Sequence, residues 1–357
     1  MNPEILINRK TNRKVGSGYP PYIIAEIGAN HNGDMELARR MIREIKKAGA
    51  DCAKFQSWTK ESIFSRSKYD ENKFLSDDYR SREDFTMEEI VEKFSVSEEE
   101  LTQLKLCCDE EGLDFTSTPF SPRELDFLVN ELSAPFIKVA SMDINNHPFL
   151  KKIGAKGVPV ILSTGLSELW EVDLAVRTLE ESGCVELVIL HCVSLYPPDD
   201  RDVNLRRIDT LAQAYPTYSI GFSDHTLGFE IPIAAMVRGA CILEKHFTLD
   251  QDMFGWDHKV SATPKELKIM VDAGRRVHNA LGSGRIRSVE DTERRVEFRR
   301  SIVAKAALPS GHTLCESDLD FKRPGRGIRP DELKYVIGRR LKCDLDADQI
   351  LTWEDLV

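Results

Sequence analysis

The sequence predicts an α/β protein: a (β/α)8 TIM barrel followed by a small, C-terminal, β-rich domain. Three observations carry this. Strand-length apolar runs alternate with helical stretches eight times between Tyr22 and Leu281. The runs are apolar on both faces, as strands of a parallel sheet covered by helices must be. The first strand ends in Glu26-Ile-Gly-Ala-Asn-His-Asn-Gly33, without the Gly-x-Gly-x-x-Gly turn of a doubly wound dinucleotide fold.

Taken in order, Asn8 to Tyr19 is polar and turn-rich, an arm or short hairpin. Tyr22 to Gly28 is strand one, and Met35 to Ala48 a helix stopped by Gly49. Cys52 to Gln56 is strand two. Trp58 to Phe94 is a polar insertion with short helices, of the kind that sits over a barrel mouth. Ser97 and Glu100 form a capping box for the next helix, which stops at Gly112. Strands three to eight follow at Leu113, Phe136, Val158, Val185, Gly221 and Leu243, and Pro264 to Leu281 is the last helix. The barrel domain is 1–282. An Arg-, Glu- and Ser-rich linker covers 283–300, and the β domain 301–357 begins short strands at Ser301, Leu308 and Leu319.

Composition narrows the function. A net charge of -10 argues against nucleic acid as the main partner, since a phosphate-backbone binder needs a broad basic surface. No apolar run approaches the roughly 20 residues that cross a bilayer, and the N-terminus lacks a signal-peptide pattern. Eight cysteines without a Cys-x-x-Cys suit reduced thiols in a cytoplasmic protein.

Chemistry in such a barrel gathers at the carboxyl ends of the strands. Those ends supply Glu26, Asn30, His31, Lys54, Gln56, Thr116, Thr118, Lys138, Ser141, Asp143, Ser163 and Thr164 on strands one to five. Strands six to eight add His191, Ser194, Tyr196, Ser223, His225, Glu244, Lys245 and His246. Two lysines among hydroxyls suit a phosphate or carboxylate. His225 and His246, on adjacent strands, are metal candidates with room left for water and substrate oxygen. Lys54 and Lys138 carry a competing meaning, because a barrel lysine can form a Schiff base, as in an aldolase. Glu26 suits a general base or an ion pair with Lys54. Asp257, beside Trp256, suits sugar hydroxyls, and Lys322-Arg-Pro-Gly is a basic turn that could reach another subunit.

Together these motifs resemble the sialic acid (nonulosonic acid) synthase family: Ala25 to Gly33, Ala53-Lys-Phe-Gln, Ser117-Thr-Pro-Phe, Ile137 to Ser141, Leu162-Ser-Thr-Gly, His191 to Pro197, Gly221 to Thr226 and Glu244 to Thr248. Residues 301–357 resemble the family's antifreeze-like (SAF) domain. The resemblance implies condensation of phosphoenolpyruvate with an N-acylated hexosamine, releasing phosphate and forming a nine-carbon 2-keto-3-deoxy acid. It implies that His225 and His246 hold a divalent ion, Mn or Mg, with Co an option. It assigns phosphoenolpyruvate to Lys54, Thr118, Lys138, Ser141, Ser163, Ser194 and Ser223, and places Glu26 and Asp143 at the reacting atoms. The amino sugar falls to Gln56, Tyr196 and Asp257, with Arg323 reaching in from the partner of a domain-swapped homodimer.

The sequence departs from the family's common bacterial form at Asp143, where Glu is frequent, at Ser194, where Asn is frequent, and at Met253 to Lys259, where Trp256 replaces Pro. These departures leave the acceptor open: N-acetylmannosamine is the default, beside a legionaminic- or pseudaminic-type 2,4-diacetamido precursor.

Overall fold

The computed structural model describes residues 3–16, 18–72, 85–282, 285–286 and 289–357. The chain divides into two compact units, Met1–Ser283 and Gly284–Val357.

The first unit opens with an antiparallel hairpin, β1 (Glu4–Asn8) and β2 (Arg13–Gly16). Eight parallel strands follow: β3 (Tyr22–Gly28), β4 (Cys52–Gln56), β5 (Asp114–Thr118), β6 (Ile137–Val139), β7 (Val160–Ser163), β8 (Leu187–Cys192), β9 (Ser219–Asp224) and β10 (Ile242–His246). Their order, β5-β4-β3-β10-β9-β8-β7-β6, leaves one seam without a backbone ladder. There Thr116 Oγ1 donates to the Phe136 carbonyl at 2.7 Å, so the sheet is a nearly closed barrel.

Strand alternation explains what fills it. Successive side chains point to opposite faces. Ile23, Ala25, Ala53, Phe115, Ile137, Leu162, Ile189, Phe222 and Leu243 pack outward in the main core with the helices. Tyr22, Ile24, Cys52, Phe136, Ile161, Val188, Leu190 and Ile242 form a separate interior cluster, closed by Ile5, Ile7 and Val15 of the hairpin. Asn8 Nδ2 and the Tyr22 hydroxyl both donate to Asp114, pinning the hairpin to the barrel base. One turn further along each strand the inward residues become polar.

Helix ends obey local chemistry. Asp34 caps Met35–Ala48, Ser97 and Glu100 make their capping box, and Gly49 ends the first helix at φ 87 with its N–H on Ile45 and Lys46 carbonyls. The 58–94 insertion contributes helices Lys60–Ile63, Arg66–Glu71 and Met87–Phe94. Residues 73–84 of it lie outside the described residues.

In the second unit β11 (Ser301–Ala304) pairs with β12 (Leu319–Lys322). The strand expected from Leu308 to Thr313 is not a strand: Leu308 and Thr313 make only isolated bridges, to Leu345 and Arg340. Its turn residues Pro309, Ser310 and Gly311 interrupt the ladder. Residues 292–298, within the segment expected to be a linker, form a helix belonging to this unit.

Candidate active site

Register decides which polar groups meet. Glu26 on β3 lies opposite His246 on β10 and opposite Lys54 on β4, while Glu244 lies opposite Ser223 on β9. All five are buried. Lys54 Nζ stands 2.5 Å from Glu26 Oε1 and 3.7 Å from Glu244 Oε2, and donates to Thr118 Oγ1 at 3.2 Å. Lys138 Nζ is 3.3 Å from Glu244 Oε1, which also accepts from Ser223 Oγ at 3.0 Å. Gln56 Nε2 donates to Glu26 Oε1 at 2.9 Å.

The remaining hydroxyls sit beside this cluster. Ser141 Oγ accepts from the Gly165 N–H at 3.0 Å. A Cβ at Gly165 would fall 2.3 Å from Ser194 Oγ and 2.7 Å from Ser141 Oγ, so only glycine lets these two serines face each other. The buried Ser163 Oγ has no hydrogen-bond partner, a donor left for something bound. Asp143 lies just past Ser141 on a short 3-10 turn; burial pushes its carboxyl up, opposed by an Asn146 amide hydrogen bond of 3.1 Å.

The two imidazoles stack in echelon. Ring centroids of His225 and His246 are 5.5 Å apart, and Tyr196 covers His225 at 4.1 Å. His225 donates through Nδ1 to the Val193 carbonyl at 2.8 Å, which leaves Nε2 as the nitrogen a cation would take, in place of its proton. His246 Nδ1 is buried without a hydrogen bond, 3.8 Å from Asp257, and its Nε2 is 3.6 Å from Glu26 Oε2. Among the described residues no group of three or more His, Cys, Asp or Glu is arranged around one point for a metal. His225 and His246 are the residues that could hold an ion here, with Glu26 and Asp257 the carboxylates beside His246.

Electrostatics sharpen the roles. Burial would raise the Glu26 carboxyl, but Lys54, His246 and Lys138 outweigh it and hold Glu26 well below the carboxylate range. Burial works against the Lys54 ammonium, and Glu244 and Glu26 reverse that, keeping it above its ordinary value. Burial also opposes charge on Cys192 and His225. Their mutual attraction prevails, the thiol lying low and the imidazole rising to about 9, with Sγ 3.9 Å from Nδ1.

The structure brings together Glu26, Lys54, Gln56, Thr118, Lys138, Ser223, His225, His246, Tyr196 and Asp257, and beside them Ser141, Ser163 and Ser194. Arg323 belongs to the second unit, its guanidinium 5.1 Å over the Phe298 ring. Several rim candidates face away. Lys245 Nζ pairs with Asp224 at 2.5 Å, and His191 Nε2 bonds the Val203 carbonyl. Two inward groups had been given no role, Glu244 and Cys192. Alternation along β10 puts Glu244 on the inner face with His246, and alternation along β8 puts Cys192 there with Val188 and Leu190.

His31 and His258 stand behind the rim, and burial lowers both to about 4. An unfolded histidine titrates near about 6.5. Between those values the unfolded chain binds more protons than the folded one, so stability falls as pH drops. We expect a loss of roughly 1.4 kcal/mol per pH unit per histidine between about pH 6.5 and 4. Urea unfolding midpoints across that range check it; a midpoint that does not move with pH contradicts it.

A polar barrel rim with two buried lysines, neighbouring histidines and a desolvated carboxylate suits a barrel enzyme, and sequence comparison places it. The NeuB family model matches residues 41–286 and the SAF domain model residues 299–357, so the chain belongs to the NeuB family. It is 37% identical to N,N'-diacetyllegionaminic acid synthase of Legionella pneumophila, over 98% of this chain and 99% of that one. It is 42% identical to N-acetylneuraminate-9-phosphate synthase of Drosophila melanogaster, over 94% and 96%. The crystal structure of N-acetylneuraminic acid synthetase from Leptospira borgpetersenii, in complex with citrate, superposes with a TM-score of 0.71 at 35% identity. It covers 80% of this chain and 94% of that one. Family, fold and enzyme class, a transferase of the nonulosonic acid synthase type, stand on these matches.

Proposed function

We propose that the enzyme condenses phosphoenolpyruvate with an N-acylated hexosamine, giving a nonulosonic acid and phosphate by C–O cleavage. The observation that carries this is the pair of buried ammoniums, Lys54 and Lys138, meeting at Glu244 and Ser223 beside His225 and His246. That arrangement supplies cations and donors for a small polyanion next to a site for a sugar aldehyde.

In this reading Lys54, Lys138, Thr118, Ser223 and the Ser141–Ser163–Ser194 hydroxyls hold the enol phosphate, and Gln56, Tyr196 and Asp257 orient the sugar. C3 of the enol forms a bond to the sugar's C1, and positive charge develops at C2. Glu26, ionised and desolvated, stabilises that charge. Water adds at C2 and the C2–O bond breaks, its electron pair leaving with phosphate. The water oxygen becomes the ketone, and its two protons end on the new hydroxyl and on phosphate. Orienting both reactants in one cavity is worth up to about 7–11 kcal/mol. A divalent ion, Mn or Mg, held by His225 and His246 would supply Lewis acidity toward the aldehyde oxygen.

The Schiff-base alternative, at Lys54 or Lys138, fares worse at Lys54: a lysine nucleophile needs a neutral amine, and Lys54 is kept charged by two carboxylates. Borohydride trapping with substrate should leave both lysines unmodified. We further propose a homodimer in which Arg323 completes the partner's site. Mixing Arg323→Ala chains with Lys138→Met chains should then recover activity that neither has alone; no recovery would count against it.

The deciding assay is phosphate release from phosphoenolpyruvate carrying 18O in the bridging position, with a panel of 2-acetamido and 2,4-diacetamido hexoses. The label should appear in phosphate. Label retained in the sugar acid, or no acceptor turned over, would overturn the reading, and the preferred acceptor names the product.

A further inference from the structure

Gln56 approaches Glu26 with its amide nitrogen, an orientation that an amide does not choose alone. A primary amide has a donor end and an acceptor end that fill nearly the same space, so its neighbours decide which way it faces. On the other side of Gln56 stands Trp58, whose Nε1–H donates to Gln56 Oε1 at 2.9 Å. An indole can only donate and an ionised carboxylate can only accept. The relay from Trp58 to Gln56 to Glu26 therefore has one permitted direction.

Trp58 is itself held from the far side. It is 3% exposed and belongs to an apolar cluster with Ala29, Tyr69, Met87, Ile90, Val91 and Phe94. Its ring centroid lies 5.4 Å from that of Trp256, which Phe94 meets edge-on at 5.7 Å. Trp256 precedes Asp257, whose loop is tied to the barrel by Asn30. That side chain accepts from the Asp257 N–H and donates to Ser261 Oγ and the Phe247 carbonyl. One indole thus joins the Glu26 side of the site to the Asp257 side.

We propose that Trp58 is a positioning residue for the condensation: it locks the Gln56 amide so that its NH2 faces Glu26, and braces Trp256 so that Asp257 stays at the acceptor's end. The proposal deepens the synthase reading and rests on it. Trp58→Phe keeps an aromatic ring against Trp256 while removing the N–H together with part of the indole's bulk. The amide can then turn its oxygen toward Glu26, acceptor against acceptor.

The test combines kinetics with a measurement independent of turnover. Trp58→Phe should lower kcat/KM for the acceptor on the order of tenfold, the loss of one hydrogen bond to a charged system, with little change in phosphoenolpyruvate affinity by calorimetry. In a Gln56→Ala background Trp58→Phe should cost much less than it does in the wild type, because the hydrogen-bonded part of its effect passes through the missing amide. In NMR spectra the Trp58 indole N–H should exchange at least about tenfold more slowly than those of the exposed Trp170 and Trp353, and Gln56→Ala should remove that protection. Rapid exchange in the wild type, unaltered kinetics in Trp58→Phe, or losses that multiply in the double variant would each overturn it. If the wild type condenses no hexosamine, the synthase reading falls, while the exchange measurement still decides whether the amide is locked.

Discussion

Lys54→Met is expected to destabilise the barrel by about 3–5 kcal/mol and to remove turnover. The side chain is 1% exposed and faces two carboxylates, Glu26 at 2.5 Å and Glu244 at 3.7 Å. Removing one partner of a buried ionic group leaves uncompensated charge, which costs more than the pair itself contributes. The paired variant Lys54→Met/Glu26→Gln deletes one cation and one anion together and should regain much of the stability, yet stay inactive because the ammonium proposed to hold phosphoenolpyruvate is gone. Chemical unfolding and phosphate release measure the two quantities separately. Equal stability of the single and double variants would show that Glu26 and Lys54 do not compensate one another.

The second large effect is expected at the histidines. His225→Ala/His246→Ala should lower kcat by at least about a thousandfold, since Lewis-acid assistance is worth several kcal/mol, and should abolish binding of Mn followed by calorimetry. Chelation of the wild type should reproduce the loss, with recovery on adding Mn or Mg. Because both imidazoles lie in the inner face of the barrel without anchoring the apolar core, the fold should survive. Full activity after exhaustive chelation would remove the ion from the reaction.

Much of this architecture was legible in the sequence because barrel strands speak in apolar runs and each run ends in polar residues. Lys54, Lys138, Ser223, His225 and His246 could be placed on one rim without coordinates. What residue type alone did not settle was parity. His191 and Lys245 are as polar as their neighbours, but each faces the outer layer and finds a local partner there. Glu244, one residue from Lys245, turns inward and binds both lysines. Nor could spacing reveal that the 58–94 insertion and the 253–257 loop share an aromatic cluster, because contacts between distant loops leave no period. In the second unit, Leu308 is followed by Pro309, Ser310 and Gly311, and their turn chemistry prevailed over a strand.

The junction between β5 and β6 has a consequence for how the ring accommodates a guest. Elsewhere neighbouring strands are laced by repeated amide bonds; here, among the described residues, the Thr116 side chain supplies the stitch to Phe136. One such bond is worth about 1 kcal/mol, so the circumference is cheapest to adjust at this clasp. Thr118 and Lys138 flank it, so an enol phosphate held by both, as proposed, would add a bridge across this clasp.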